Sequence, residues 1–452
     1  MNVTPLVGPL GLRAPAAGTD RPNAPTAWLQ SSFETAFLGF AFLVLQGAFI
    51  GMAAPEETGE AVAAEGTDLR HMLAFALLLF GTAIFAPKHW RGIAQIARSN
   101  VIYFILPAMI VASVLWSIDP LLTLKRSLLT AGVCLFDLYV VAAVSFDRLL
   151  KLLSATIFIS ALASVVTAIA FPAIGREVGA GLTGDWRGIF PQKNAFGHVM
   201  SVGVFIQLSL MIRAQRPLLG AGIGAALCIL LVALADSASS LLAVALALLL
   251  SGFYIAFRRG TASIAVCGLV SIGVIALIAA AVATDLSAAL QLFDRDTSLT
   301  GRTDLWAYVL DAIDERPLAG WGYTAFWAPD SPAATYLRSQ VHWDAPNAHD
   351  GYLELALGLG LIGLAGFVVT GVWTLRRIVI LFRKQNELGI LLLIISVQLM
   401  AANLTESFMI SASVFGWNIY SIVVLAAGAA LSRGPEADTA EFGSILYRAK
   451  AR

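Results

Sequence analysis

The chain has 452 residues, 58% of them hydrophobic and 13% charged, with 29 basic and 29 acidic side chains. A soluble domain carries about 25% charged residues, so a mean hydropathy of +0.80 excludes an ordinary soluble fold, and the zero net charge offers nothing to nucleic acid. Runs such as "LLAVALALLL" (241–250) are continuously apolar, whereas strands of a transmembrane barrel alternate.

Residues 1–31 are Pro-rich and polar and read as a disordered cytoplasmic tail. A membrane-spanning helix needs about 20 mainly apolar residues. On that rule about 12 spans follow, centred near 36–53, 71–86, 100–116, 128–145, 152–172, 195–212, 217–235, 241–257, 261–283, 353–375, 388–404 and 413–431. The expected fold is an all-α integral membrane protein whose transmembrane unit covers 32–432. One large extracytoplasmic loop, about 284–352, carries short helices, and 433–452 form a cytoplasmic tail. No convincing small-residue cleavage site follows the first span, which therefore reads as an anchor. Cys134, Cys228 and Cys267 lie within apolar spans at irregular spacing and read as packing residues.

Cytoplasmic loops concentrate Lys and Arg. Placing both termini inside leaves ten of the 29 cations outside, namely Arg70, Lys125, Arg126, Arg176, Arg187, Lys193, Arg295, Arg302, Arg316 and Arg338. The long loop then faces outward, and so does the expected functional face.

Polar residues inside the spans usually face a bundle interior and pair. Asp137, mid-span, reads equally as a structural pair or as part of a substrate cavity, while Gln207, Gln398, Asn403, Glu406 and Asn418 lie in or near other spans. "DWRGIFPQKNAFGH" (185–198) sets Arg187 and Lys193 before the sixth span, with Asn194 and His198 one helical turn apart on its first turns. "TSLTGRTDLW" (297–306) places Arg302 after a glycine. Arginine suits planar, bidentate capture of phosphate, whereas Arg70, Arg176 and Arg338 read as solvated loop charges. Past Thr303 as N-cap, Trp306, Val309, Leu310 and Ile313 follow helical spacing and predict an amphipathic helix. "ERPLAGWGYTAFW" (315–327), with Trp321 and Tyr323, reads as a membrane-interface stretch or as rings that stack on sugars. "NAHDGYLELALGLGLIGL" (347–364) crowds Asn347, His349 and Asp350 at the mouth of a span, with Glu354 a turn further on. Its glycines read as helix-packing positions, and Asp294-Arg295-Asp296, a D-x-D of the kind that holds a metal and a nucleotide sugar, reads as chance.

In that order, "WRGIFPQKNAFGH", "GRTDLW", "PLAGWGYTAFW" and "NAHDGYLELALGLGLIGL" resemble the O-antigen ligase and Wzy-type polysaccharide polymerase superfamily, in particular its exopolysaccharide polymerases. "WSIDP" (116–120), with Lys125 and Arg126 after it, is a weaker echo. The resemblance implies that Arg187 contacts the diphosphate of a lipid-linked donor, that Arg302 does likewise or holds the sugar, and that His349 is the candidate catalytic base. Lys193, Asn194, His198, Arg126, Asn347, Asp350, Trp321 and Tyr323 would complete a substrate site without metal or cofactor. The family commonly has Asn after the histidine where this chain has Asp350, which leaves two roles for Asp350, orienting His349 or capping the span.

The implied partners are an undecaprenyl-diphosphate-linked oligosaccharide donor, a glycan acceptor and membrane lipids, with a chain-length regulator and a flippase as further candidates. The expected reaction polymerises repeat units at the outer face of a bacterial inner membrane. The alternatives are a ligase that transfers glycan to lipid A core or protein, and a flippase for the same lipid-linked oligosaccharide. Against transport stand the lack of repeat symmetry between the halves and the lack of a matched pair of broken helices.

Overall fold

The computed structural model describes residues 24–48, 69–177, 184–215, 217–269, 302–341, 344–384, 387–409 and 414–432. Asp294–Asp296, most of the ninth expected span, the early part of the long loop and the tail from 433 lie outside them. Among the described residues the regular elements are helices, plus one isolated bridge between Arg176 and Trp186. We label the longer helices α1 (Ala24–Leu45), α2 (Leu69–Phe85), α3 (Trp90–Ser99), α4 (Ile105–Ala112), α5 (Pro120–Ala143), α6 (Phe146–Ala170), α7 (Lys193–Ala214), α8 (Leu219–Leu234), α9 (Ala238–Arg259), α10 (Arg302–Glu315), α11 (Pro332–Val341), α12 (Gly351–Arg383), α13 (Glu387–Asn403) and α14 (Val414–Ser432).

Among the described residues, seven helical stretches are long and apolar enough to cross a membrane, and four shorter apolar helices join them. Together they account for eleven of the expected spans, and the ninth begins as helix at 261–269. The protein is an all-α membrane protein. Helix α1 starts at Ala24, inside the segment expected as tail.

Helix α7 is buried along most of its length and packs against α6, α8, α9 and α13. Small residues let the backbones approach. A Cβ on Gly197 would lie 2.5 Å from Ser240 Oγ of α9, and one on Gly203 would lie 2.8 Å from Cys228 Sγ of α8. Helix α14 packs against α5, α12 and α13, where Asn418 Nδ2 donates to Asp137 Oδ1 at 2.5 Å. Asp137 therefore has a pairing partner within the bundle, as polar groups at membrane depth require.

The two ends of the bundle differ. At one end Arg213 pairs with Asp147, Arg258 with Glu387 and Arg377 with Ser99 and Asn100. At the other end lie the N-termini of α5, α7, α12 and α14, with α10 packed on α12 and α11 packed on α10.

Helix α12 is broken at Gly360, whose φ of 67° and ψ of −172° are non-helical. A break leaves carbonyls above it and N–H groups below it without helical partners, which is costly where water is scarce. The 317–322 loop satisfies them. Trp321 and Gly322 N–H donate to the Leu357 and Gly358 carbonyls (2.9 Å each), and Leu361 and Ile362 N–H donate to Pro317 and Leu318 (2.8 and 3.3 Å). The glycines of "ELALGLGLIGLAG" thus do more than pack helices, for a helix N-terminus does open there, with its amides already taken by this loop. The same loop is tied to the 113–123 segment, since Ile118 N–H donates to the Trp321 carbonyl and Trp116 Nε1 to that of Ala319.

The amphipathic helix expected after Thr303 is α10, which begins one residue earlier. Its buried face is Leu305, Val309, Ala312 and Ile313, while Leu310 is 50% exposed. The expected stripe was rotated by one position because α10 packs between α11 and α12, so burial follows the line that faces both.

Candidate active site

Four residues at the head of α12 are fixed individually. Asn347 Oδ1 accepts the His349 N–H at 2.8 Å, closing a turn of the kind Asn favours. His349 has a φ of 48°, a left-handed conformation that costs a non-glycine residue on the order of 1–2 kcal/mol. Ala348 donates its N–H to Glu354 Oε2 (3.0 Å), and its carbonyl accepts Trp306 Nε1 (2.9 Å). Asp350 Oδ1 accepts the N–H groups of Tyr352 (2.8 Å) and Leu353 (2.9 Å) and so caps α12. Burial raises the Asp350 pKa, with those two N–H bonds pulling the other way. Of the two roles open to Asp350, the geometry displays the cap.

The His349 ring instead meets a carboxylate from the turn between α13 and α14. His349 Nδ1 lies 2.9 Å from Glu406 Oε2. The other oxygen, Oε1, accepts Arg302 Nη2 at 2.6 Å and Asn194 Nδ2 at 2.8 Å, and Arg302 Nη1 also donates to the Thr405 carbonyl. Glu406 is 5% exposed and His349 8%. Burial by itself would push the Glu406 pKa up, but the charge and hydrogen bond of His349, then the charges of Arg302 and His198, override it and hold it down to about 2. The carboxylate is therefore ionised and accepts from three donors on three different elements.

His198, one turn along α7 from Asn194, is buried and stacks on Phe408 with ring centroids 4.6 Å apart. Among the described residues its two ring nitrogens have no hydrogen-bond partner. Lys193, at the head of α7, pairs with Asp185 at 2.5 Å, and its N–H donates to Glu177. Arg187 is buried with its guanidinium turned to backbone, Nε to the Ile174 carbonyl (2.9 Å) and Nη1 to that of Pro191 (3.1 Å). Its bonded partners thus belong to the segment before α7, whereas those of Arg302 belong to the Glu406 turn. Arg126 donates to the Thr324 carbonyl at 3.4 Å and neighbours Tyr323 and Glu354.

The aromatic loop is packed inward. Trp321 and Tyr323 are buried, Trp321 Nε1 donates to the Ala312 carbonyl at 2.8 Å, and the Arg316 guanidinium lies over the Trp321 ring at 4.3 Å. Trp327 Nε1 donates to Glu354 Oε2 at 2.9 Å. Among the described residues no group of three His, Cys, Asp or Glu has a metal-binding arrangement.

Three of the five sequence pieces meet around Glu406, and the other two join at the break in α12. "NAHDG" and "GRTDLW" join through Trp306 and through Glu406, "QKNAFGH" joins through Asn194, and "GWGYT" links "WSIDP" to the break in α12. Glu406 was legible only as a polar residue near a span. The available signal was "NLTESF" (403–408), a polar interruption at the end of an apolar span.

Residues 223–368 match the family model described as O-antigen ligase. "Exopolysaccharide production protein ExoQ" of Rhizobium meliloti (strain 1021) is 29% identical over 189 residues, which cover 39% of this chain and 43% of that protein. The chain thus aligns with less than half of that relative's length. The resemblance to the O-antigen ligase and Wzy-type superfamily holds, and the family match takes in Arg302 and His349 but ends before Glu406.

Proposed function

We propose that this O-antigen ligase relative is a membrane glycosyltransferase that joins lipid-linked oligosaccharide repeat units into a polysaccharide at the outer face of the bacterial inner membrane, with both termini cytoplasmic. The observation that supports this reading is the Arg302–Glu406–His349 cluster, in which a basic ring and a guanidinium share one buried carboxylate. A polyprenyl-diphosphate sugar carries its own leaving group. As its C1–O bond breaks, the electron pair goes to the diphosphate, and Arg302 and Arg187 are assigned to that developing charge. The acceptor hydroxyl, far too weak an acid to ionise at neutral pH, gives its proton to His349 as its oxygen bonds to C1 from the opposite face. Transfer then inverts the anomeric centre, and no divalent cation is required. Lys193, Asn194, His198 and Arg126 are assigned to the substrates' polar groups, Asn347 to holding the His349 backbone and Asp350 to capping α12.

The second reading, a ligase that passes finished glycan to another acceptor, draws on the printed description of the family match. One experiment separates the two. In a strain relying on His349→Ala, a polymerase leaves single repeat units on the lipid carrier, whereas a ligase leaves long chains on it. Normal polymer at normal membrane abundance of the variant would sink both.

A further inference from the structure

We infer that Glu406 is the positioning residue of the reaction, fixing the proton of His349 on Nδ1 so that Nε2 presents its lone pair to the acceptor hydroxyl. The inference rests on the reading of His349 as the base. An ionised carboxylate can only accept hydrogen bonds, so the 2.9 Å contact between Glu406 Oε2 and His349 Nδ1 requires the hydrogen to sit on Nδ1. In the neutral ring the basic nitrogen is then Nε2. When the acceptor proton arrives there, the ring becomes imidazolium and the carboxylate lies against its positive charge. Neighbouring carboxylates are otherwise engaged, Asp350 on the amides of its own helix and Glu354 on Trp327 and Ala348.

Glu406 is itself held against rotation. Arg302 from α10 and Asn194 from α7 occupy Oε1, so Oε2 can turn away from the ring only by breaking both bonds. A carboxylate whose pKa is held down to about 2 is also a poor acceptor of a hydroxyl proton. The role that remains is orientation and charge balance, which in other enzymes falls to the buried acid behind a catalytic histidine. The residue lies beyond the matched family segment, which ends at 368.

The substitution Glu406→Gln tests this directly. The amide oxygen can still accept from Arg302 and Asn194, but its NH2 then faces Nδ1 and favours the opposite tautomer. The assay uses full-length protein in lipid nanodiscs, with polyprenyl-diphosphate oligosaccharide extracted from a strain lacking the protein. We expect Glu406→Gln to lower kcat by about 10²-fold or more, with the donor KM within about threefold of wild type. Glu406→Asp should recover part of that loss. Adding Glu406→Gln to His349→Ala should slow the enzyme no further, because residues that act as a unit are not additive. Near-normal turnover in Glu406→Gln beside an inactive His349→Ala would overturn the positioning role and leave the base in place. So would losses that multiply in the double variant, or a raised KM with kcat unchanged. An active His349→Ala would overturn the base itself.

Discussion

Gly360 and Leu318 fit one another at backbone level. A Cβ on Gly360 would stand 2.2 Å from the Leu318 carbonyl oxygen, and its φ of +67° is one that other residues rarely adopt. The gap in α12 is therefore closed by a chain segment some 40 residues upstream, and the closure works only without a side chain. Gly360→Ala should lose at least about 2 kcal/mol of stability, seen as a lower melting temperature in detergent and reduced membrane abundance. Gly371, in the same helix with nothing within 4 Å of its Cβ position, is the control. There alanine should be neutral or stabilising by up to about 1 kcal/mol, and equal losses at both sites would mean that the break has no special demand for glycine.

Arg302 and Arg187 should respond differently to lysine. Arg302 bridges Glu406 and the Thr405 carbonyl with separate nitrogens, and lysine keeps the charge but not the fork. Arg302→Lys should reduce kcat/KM by at least about 10-fold with little change in melting temperature. Arg187 binds the Ile174 and Pro191 carbonyls, so Arg187→Lys should cost stability as well as activity. Full activity in both variants would reduce the two residues to general electrostatics.

The ionisation of Glu406 makes a signed prediction. Its pKa falls from an ordinary 4.5 to about 2 on folding, so the ionised group stabilises the fold, by an amount on the order of 3 kcal/mol. That contribution is complete above pH 4.5 and drains away as the pH falls toward 2. Thermal melts of wild type and Glu406→Gln should differ most at neutral pH, with wild type higher, and converge below pH 4.5. A gap independent of pH would place the stabilisation elsewhere.

Asp350 separates capping from catalysis. Replacing an N-cap by alanine costs about 0.5–2 kcal/mol, and serine, another good cap, should restore most of it. Asp350→Ser should therefore retain both stability and turnover, because its partners are the Tyr352 and Leu353 amides. An inactive but stable Asp350→Ser would instead give this carboxylate a part in the chemistry.

Polymer formation in vitro should survive EDTA, since arginine is assigned the leaving-group charge. Activity lost on chelation and restored by manganese would promote Asp294 and Asp296 from a chance pattern to a site.

Much of this arrangement was legible in the chain. Spans appear as apolar runs because lipid imposes length and composition on each helix separately. Arg302 and His349 stand out because charge is scarce in so apolar a chain. The break at Gly360 was hidden, since a glycine among leucines reads equally as helix packing until the carbonyls of Pro317 and Leu318 are seen beside it. Glu406 was hidden for a similar reason. Its meaning lies in a contact across 57 residues of chain, and no local periodicity encodes that. The stripe of α10 was read one position off because Leu305 and Ala312, not Leu310, face the neighbouring helices.

The break in α12 also sets a depth. At about 1.5 Å per residue, the apolar stretch from Leu361 to Leu375, ahead of Arg376 and Arg377, is about 22 Å long, short of a hydrocarbon core of about 30 Å. The nine residues from Gly351 to Leu359 add about 13 Å, so a full crossing draws on both sides of the break, and the break itself falls inside the apolar stretch. The loop that closes it therefore supplies backbone partners at a level where water is scarce, and His349 stands just ahead of the first residue of that stretch.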